Sequence, residues 1–397
     1  TVTVTDAFNL STTQALTFTT GAAGLPTVTI AVNPAQTRPI SPWIYGMNFY
    51  QDTAHQVRNL TFNRQGGNRW TAYNWENNAS NAGRDWGPFS NDNFLGGDTV
   101  VPAEAVRARI AEDRARHSAS LITVQLQGYA AADKNGLVDI TAPNYLSERF
   151  KPVVYRKGAT FTATPSTTDN AVYMDEFVWA LRGKFSTNIY ADPQTPTFVS
   201  LDNEPDLWTE THPQIQPHHP TAAAFIEKSI ELARALKDVD SSIKIFGPVN
   251  YGISGFVNWQ GSSGYTYDYW FMDQYLAAMK AASDTAGQRL LDVFDFHWYS
   301  EAYADNTRII FLSQPNLNAQ QIQEIVQSPR SLWDPTYAEN SWIVSYFGGP
   351  VRILPRLEAK IAAGFPGTKL AITEYDNGGH NHIAGAINAA LPGSRAH

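Results

Sequence analysis

Thr197-Phe198-Val199-Ser200-Leu201-Asp202-Asn203-Glu204-Pro205 is the stretch on which the fold turns. A short apolar run, read as a strand over Thr197–Asp202, breaks off into polar residues and a proline, and a helical pattern follows over Thr221–Lys237. The same unit recurs along the chain. Strands are expected at Ile44–Tyr50, Thr61–Gly66, Leu121–Gln127, Ile243–Pro248, Val293–Tyr299 and Leu370–Glu374. Helices are expected at Ala103–His117, Tyr173–Phe185, Tyr269–Ala282, Ala319–Gln327, Val351–Ala363 and Ile383–Ala390. Strands that alternate with helices imply parallel βα units. No glycine-rich phosphate turn follows the first strand, so a (β/α)8 TIM-type barrel is favoured over a doubly wound sheet. Residues 41–397 are assigned to this barrel. Residues 1–40 carry short alternating runs (Thr1 to Asp6, Ala15 to Thr20, Thr27 to Val32) and read as a β-strand segment, part of a small β-sandwich.

Composition narrows the class of partner. The 397 residues hold 29 Lys and Arg against 37 Asp and Glu, a formal charge of −8 that argues against nucleic acid and anionic lipid surfaces. The absence of cysteine removes disulfide scaffolds, thiol nucleophiles and iron–sulfur clusters. No apolar run is long enough to span a membrane, and no signal peptide is visible in the chain. Aromatic residues make up 12% of the chain, with 11 Trp, which suggests a need for flat amphipathic surfaces. Sequons occur at Asn9, Asn59 and Asn78.

Active sites of barrels of this kind lie at the C-terminal ends of the strands. Those ends are unusually polar here: Asn63-Arg64-Gln65-Gly66-Gly67-Asn68, Asp202-Asn203-Glu204, Asp295-Phe296-His297-Trp298-Tyr299 and Thr373-Glu374-Tyr375. Glu204 and Glu374 each close an apolar strand, so a closed barrel aims both carboxyls into one mouth. Two facing carboxyls suit cleavage of an acetal, one protonated to donate to the leaving oxygen and one ionised to attack. Burial and like-charge repulsion can hold their pKa values apart. A fixed amide at Asn203 can hold a sugar hydroxyl and the neighbouring acid.

Three groups of residues resemble glycoside hydrolase family 44. They are Arg64-Gln65-Gly66-Gly67-Asn68 with Tyr73-Asn74-Trp75-Glu76-Asn77-Asn78 and Ser80-Asn81-Ala82-Gly83; Asp202-Asn203-Glu204-Pro205-Asp206-Leu207-Trp208 with Thr211-His212-Pro213; and Ile372-Thr373-Glu374-Tyr375 with Gly378-Gly379. The resemblance implies a secreted, retaining endo-β-1,4-glucanase, a hydrolase of cellulose type with xyloglucan, xylan or mannan as possible further substrates. It implies Glu204 as general acid/base and Glu374 as nucleophile. Arg64 is expected to pair with Glu374, Tyr299 to donate to it, and His297 to line the same wall, although a buried core histidine fits that residue as well. Candidate sugar platforms are Trp342, Tyr346, Trp208, Trp298 and Trp75, with Asn68 nearby and Trp342 preferred. Asn74, Asn77 and Asn78 suit turns as well as they suit sugar.

No cofactor is required by this chemistry. His212, His218 and His219 lack the spacing of a zinc site, while Asp133-Lys134-Asn135-Gly136 opens like a calcium loop without its closing glutamate, so a structural calcium is allowed. Only 23 residues follow Glu374, against about 30 or more for a βα unit. An eighth strand is not identified, and the chain is expected to be truncated or frame-shifted there, with two unpaired sheet edges that predict poor stability. The reading is a monomeric enzyme acting on polysaccharide. A glycan-binding barrel with lost or weak catalysis is the first alternative, and a metal-dependent barrel hydrolase the second.

Overall fold

The computed structural model describes residues 2–5, 11–14, 40–49, 60–85, 89–93, 100–313 and 315–394. Seven strands form one parallel sheet: β1 (Gly46–Asn48), β2 (Phe62–Gln65), β3 (Ala119–Val124), β4 (Thr197–Leu201), β5 (Ile245–Asn250), β6 (Val293–Tyr299) and β7 (Lys369–Asp376), adjacent in that order. All seven expected strands are present, each within a few residues of its expected bounds. The helices that return the chain to the sheet's starting edge are α1 (Glu104–Ala115), α2 (Met174–Arg182), α3 (Ala222–Val239), α4 (Phe271–Ala286) and α5 (Ile353–Gly364). The architecture is that of a (β/α)8 TIM-type barrel, with β1 and β7 as its outer strands among the described residues. No eighth parallel strand occurs among the described residues, and the segment after β7 forms a helix over His382–Ser394. The seam between β1 and β7 is crossed by a side chain, Asn48 Nδ2 donating to Glu374 Oε2 at 3.2 Å.

Near the amino terminus, Val2–Thr5 pairs antiparallel with Ser11–Gln14. The expected strands at 15–20 and 27–32 lie outside the described residues, as do Asn9 and Asn59. Asn78, the remaining sequon residue, is buried, with its side chain bonded to Val101 O, Tyr73 and Ala105 N.

Helices and strands form where they do because each has one face to bury. Phe225, Leu232 and Leu236 on α3, together with Phe271, Tyr275 and Met279 on α4, pack against the outward side chains of the sheet, such as Val199, Leu201 and Ile245. Inside the barrel, the floor is plugged by rings. Phe62 of β2, Phe198 of β4 and Phe246 of β5 lie with centroids 5.4–6.3 Å apart, and Trp43 meets Phe198 edge-on at 5.1 Å. Because side chains alternate along a strand, two steps above Phe62 the lumen receives Arg64. An apolar base thus carries a polar mouth.

One irregularity sets the upper layer. Between β6 and β7 the pairing runs Phe296 with Ile372 and then His297 with Glu374, so Thr373 is an extra residue in β7. Such a bulge reverses the alternation beyond it. Ala371 packs with the floor rings and Thr373 donates to Asp295 in the lumen, at 2.8 and 2.9 Å to its two oxygens. Without the bulge Glu374 would face the surrounding helices; with it, Glu374 also points inward, and Tyr375 turns out to bond Asn388 O at 2.8 Å.

The asparagine-rich loop after β2 is structural. Asn74 and Asn77 bond Ala131 O and Ala132 O, and Asn81 bonds Asn91, Gly83 N and Gln214, so these amides close turns. The loop rests on the turn that follows Glu204. Gly83 has φ +62°, and a Cβ there would stand 1.9 Å from Thr211 O. Gly83→Ala is therefore expected to cost roughly 2 to 3 kcal/mol, through backbone strain and the steric clash. Thermal unfolding followed by circular dichroism checks this, and an unchanged melting temperature would count against the packing described.

Candidate active site

Glu204 lies just beyond β4, where the backbone makes two left-handed turns, with φ 65° at Asp202 and 43° at Glu204. Non-glycine residues in that region cost about 1–3 kcal/mol each and persist only where neighbours hold them. Here the buried Asp202 carboxylate accepts from Leu126 N at 2.7 Å, Gln127 N at 2.9 Å and Thr71 Oγ1 at 2.7 Å. Burial pushes the Asp202 carboxyl up to about 6 against the pull of these bonds. The Glu204 amide in turn donates to Val249 O at 3.0 Å. The acid strand is clamped from both sides.

Glu374 is held by three donors. Arg64 Nη1 lies 2.7 Å from Oε2, Asn48 Nδ2 also bonds Oε2, and the Tyr299 hydroxyl donates to Oε1. Gly66 makes room for the guanidinium, since a Cβ there would stand 2.2 Å from Arg64 Cζ. Arg64 is itself buried, and its Nη2 donates to Asn203 Oδ1 at 2.6 Å. Asn203 Nδ2 donates to Asn68 Oδ1 at 3.0 Å. His297 bridges the two acids: its Nδ1 is 2.7 Å from Glu204 Oε1 and 3.9 Å from Glu374 Oε2. One ligand atom from each of Glu204, His297 and Glu374 lies within 4.8 Å of the others.

The electrostatics separate the two carboxyls. Burial tends to raise the Glu374 carboxyl, but the charges of His297 and Arg64 and the bonds from Tyr299 and Arg64 overcome it and hold it down at about 2. Burial raises Glu204, the bond and charge of His297 offset that only in part, and the charges of Glu374 and Asp206 push it further up. His297 is pulled down by burial, yet the charge of Glu374 and the bond to Glu204 leave it raised. The shifts therefore bias Glu374 to the ionised form and the Glu204–His297 pair toward keeping a proton.

The structure brings together Glu204, Glu374, Arg64, His297, Tyr299, Asn203 and Asn68. Others it buries away from the mouth. Trp75, Trp208 and Trp298 were expected as sugar platforms, and all three are buried. Trp75 stacks on Phe177 at 5.7 Å, and Trp208 donates its Nε1 to Asn203 O at 3.1 Å, supporting the site from behind. Trp298 points away from the lumen because it alternates with His297 and Tyr299. Trp342 is 45% exposed, its Nε1 bonds Glu301 beyond the end of β6, and its ring meets Tyr346 edge-on at 6.4 Å. Two contributors escaped the sequence reading. Asn48 was discernible as a polar residue at the end of the first strand; Tyr251, stacked on Tyr299 at 6.2 Å, had no such signal.

Among the described residues, Glu204, His297 and Glu374 form the one cluster of three or more His, Asp or Glu suited to a metal. Arg64 already supplies the positive charge at Glu374, and a divalent cation there would meet it at close range. The three histidines of the proline-rich loop do not converge: His212 bonds Asn68 O and Thr211, while His219 bonds Pro220 O and Asp206 O. Asp133, at the head of the calcium-like loop, is engaged by both guanidinium arms of Arg149 at 2.6 and 2.9 Å.

The family profile of glycoside hydrolase family 44 matches residues 79–302. Endoglucanase A of Paenibacillus lautus is 44% identical over 380 residues, covering 91% of this chain and 52% of its own length. The β-mannanase/endoglucanase A of Caldicellulosiruptor saccharolyticus is 41% identical over 391 residues, 91% of this chain and 28% of its own. The chain thus spans about half or less of these relatives. The crystal structure of a family 44 endoglucanase from Clostridium thermocellum superposes with a TM-score of 0.79 at 43% identity, over 89% of this chain and 69% of that one. A Paenibacillus polymyxa xyloglucanase solved with xyloglucan gives 0.78 at 42% identity, over 86% and 67%. On the strength of these matches, the chain belongs to glycoside hydrolase family 44.

Proposed function

We propose that the protein is a retaining, endo-acting glycoside hydrolase of β-1,4-glucan chains, with Glu204 as general acid/base and Glu374 as nucleophile. The observation that carries this is the close approach of two carboxyls biased to opposite protonation states. Inverting enzymes keep their carboxyls about 6.5–9.5 Å apart to admit water, whereas retaining ones need only about 5–5.5 Å. One oxygen of Glu204 and one of Glu374 lie within 4.8 Å of each other, an approach that favours the second class. Relatives named as endoglucanase, β-mannanase and xyloglucanase support a β-1,4-linked polysaccharide substrate.

The steps follow from the bonds. Glu204 gives its proton to the glycosidic oxygen while Glu374 attacks the anomeric carbon, forming a glycosyl ester and releasing the shortened chain. Arg64, Asn48 and Tyr299 hold the Glu374 carboxylate in one orientation before attack, which lowers the entropic cost of reaching the transition state. Glu204, now a base, takes a proton from water, and the hydroxide attacks the same carbon from the opposite side to restore Glu374. His297 steadies Glu204 through both changes of state. In this reading Trp342 and Tyr346 pack against pyranose faces, and Asn203 and Asn68 hold sugar hydroxyls on the acid side.

One chain supplies every residue of the site, which supports action as a monomer. A polymeric substrate supports action outside the cell, and no helix among the described residues is long and apolar enough to cross a membrane. No cofactor enters the steps proposed. A structural calcium elsewhere in the fold remains compatible with them.

Glu374→Ala and Glu204→Gln are each expected to lower turnover of soluble cellulose derivatives by about a thousandfold or more, as losses of nucleophile or acid do. Reducing-sugar release measures this, and wild-type rates in both variants would end the assignment. The pH profile offers a second check. His297 lowers both carboxyls, so His297→Gln should raise both pKa values. Activity requires Glu374 ionised and Glu204 protonated, so the acid limb and the alkaline limb of kcat/KM should both move to higher pH. Limbs that move down, or apart, would contradict the electrostatic account.

A further inference from the structure

Outside the catalytic mouth, the structure holds a shallow, open depression of about 530 Å³ between the start of α3 and the loop that leads into α4. Both helices begin at the C-terminal face of the barrel, so this depression lies on the same face as Glu204 and Glu374. Among the described residues that line it, none carries a charge. Its walls are the rings of Tyr265 and Tyr269, stacked at 6.3 Å and 24°, with Ser262, Ser263, Thr221 and Gln274 around them. Tyr265 donates its hydroxyl to Gln274 Oε1 at 2.7 Å, which turns the Nε2 donors of that amide toward other partners. At Gly264 the floor is open, since a Cβ built there meets no atom within 4 Å.

An uncharged hollow with ring faces and hydroxyl and amide groups suits a neutral polyol that has apolar C–H faces, the chemistry of a pyranose. A row of aromatic side chains runs from Trp342, bonded to Glu301 just beyond β6, to the loop that lines the depression. Trp342 meets Tyr346 at 6.4 Å, and Tyr346 meets Tyr267 at 5.9 Å. Tyr267 is 48% and Tyr269 47% exposed, so each presents part of a ring face to a ligand. Thr266 fixes the spacing between them by exchanging bonds with Tyr269: its amide donates to Tyr269 O at 2.8 Å, and its Oγ1 accepts from Tyr269 N at 3.1 Å.

We infer that this depression is a remote subsite for the β-glucan chain, in which Tyr269 and Gln274 hold sugar units several residues away from the scissile bond, with Tyr267 as the step between. The inference rests on the hydrolase reading above for the identity of the chain, and it adds that long substrates are gripped outside the cleft.

The test measures binding apart from turnover. In a Glu204→Gln background, retardation in gels containing hydroxyethyl cellulose gives a Kd that does not depend on hydrolysis. Adding Tyr269→Ala or Gln274→Ala is expected to weaken that Kd about fivefold. In the otherwise unmodified enzyme, Tyr269→Ala should raise KM for hydroxyethyl cellulose about fivefold relative to KM for cellobiosides, whose two sugar units fill the catalytic mouth alone. Should Tyr269→Ala lower the melting temperature, Ser263→Trp, at an exposed position, fills the hollow instead and should weaken the same Kd. Unchanged retardation and an unchanged ratio of KM values in correctly folded variants would overturn the subsite. Failure of the hydrolase reading would look different: no turnover by the unmodified enzyme, whatever the variants do to retardation.

Discussion

Everything in the mouth of the barrel depends on the pairing of Arg64 with Glu374. A carboxylate placed at the top of a largely enclosed lumen would take up a proton if nothing compensated its charge. His297 and Arg64 supply that compensation together, and Arg64 does so at 2.7 Å from a position that is itself almost wholly buried, so the pair is weakly screened by solvent. Once Glu374 is committed to the ionised form, its negative charge raises both His297 and Glu204. The division of labour between two identical side chains thus begins with one arginine, two residues above the phenylalanine floor.

The fold serves that pairing through two departures from regular geometry. The extra residue Thr373 in β7 lets Glu374 face the lumen, and its hydroxyl is caught by Asp295. The left-handed backbone at Asp202 and Glu204 carries the acid past the end of β4, held by donors from two other segments and by the Val249 carbonyl, which accepts from the Glu204 amide. Each is unfavourable alone and is maintained by bonds that the surrounding loops provide. The asparagine-rich loop belongs to this support: it docks on the turn after Glu204 and offers its amides to backbone.

Much of this was legible in the sequence, for physical reasons. Buried parallel strands need apolar runs, and β3, β4, β5 and β6 are discernible as such; catalytic strand ends need polar residues, and Arg64, Asn203, Glu204, His297, Tyr299 and Glu374 stand at those ends. The bulge was not legible, because a register shift belongs to a pair of strands and leaves no mark in either one. Trp75, Trp208 and Trp298 were misread because an indole has the same local sequence signal whether it packs in a core or faces a sugar. Trp208 and Trp298 stand beside catalytic residues, and the alternation of side chains sends Trp298 outward. Tyr251 went unread because its role arises from stacking on Tyr299, across two strands.

The central claim is that Glu374, kept ionised by Arg64, attacks the sugar directly. Intact-protein and peptide mass spectrometry after incubation with an activated 2-deoxy-2-fluoro-β-cellobioside tests it most directly, because the fluorine slows release of a covalent intermediate. The account predicts one fluorocellobiosyl adduct per chain, located on the peptide that carries Glu374 and absent in Glu374→Ala. An adduct on Glu204, or turnover of natural substrate with inversion and no adduct, would contradict it.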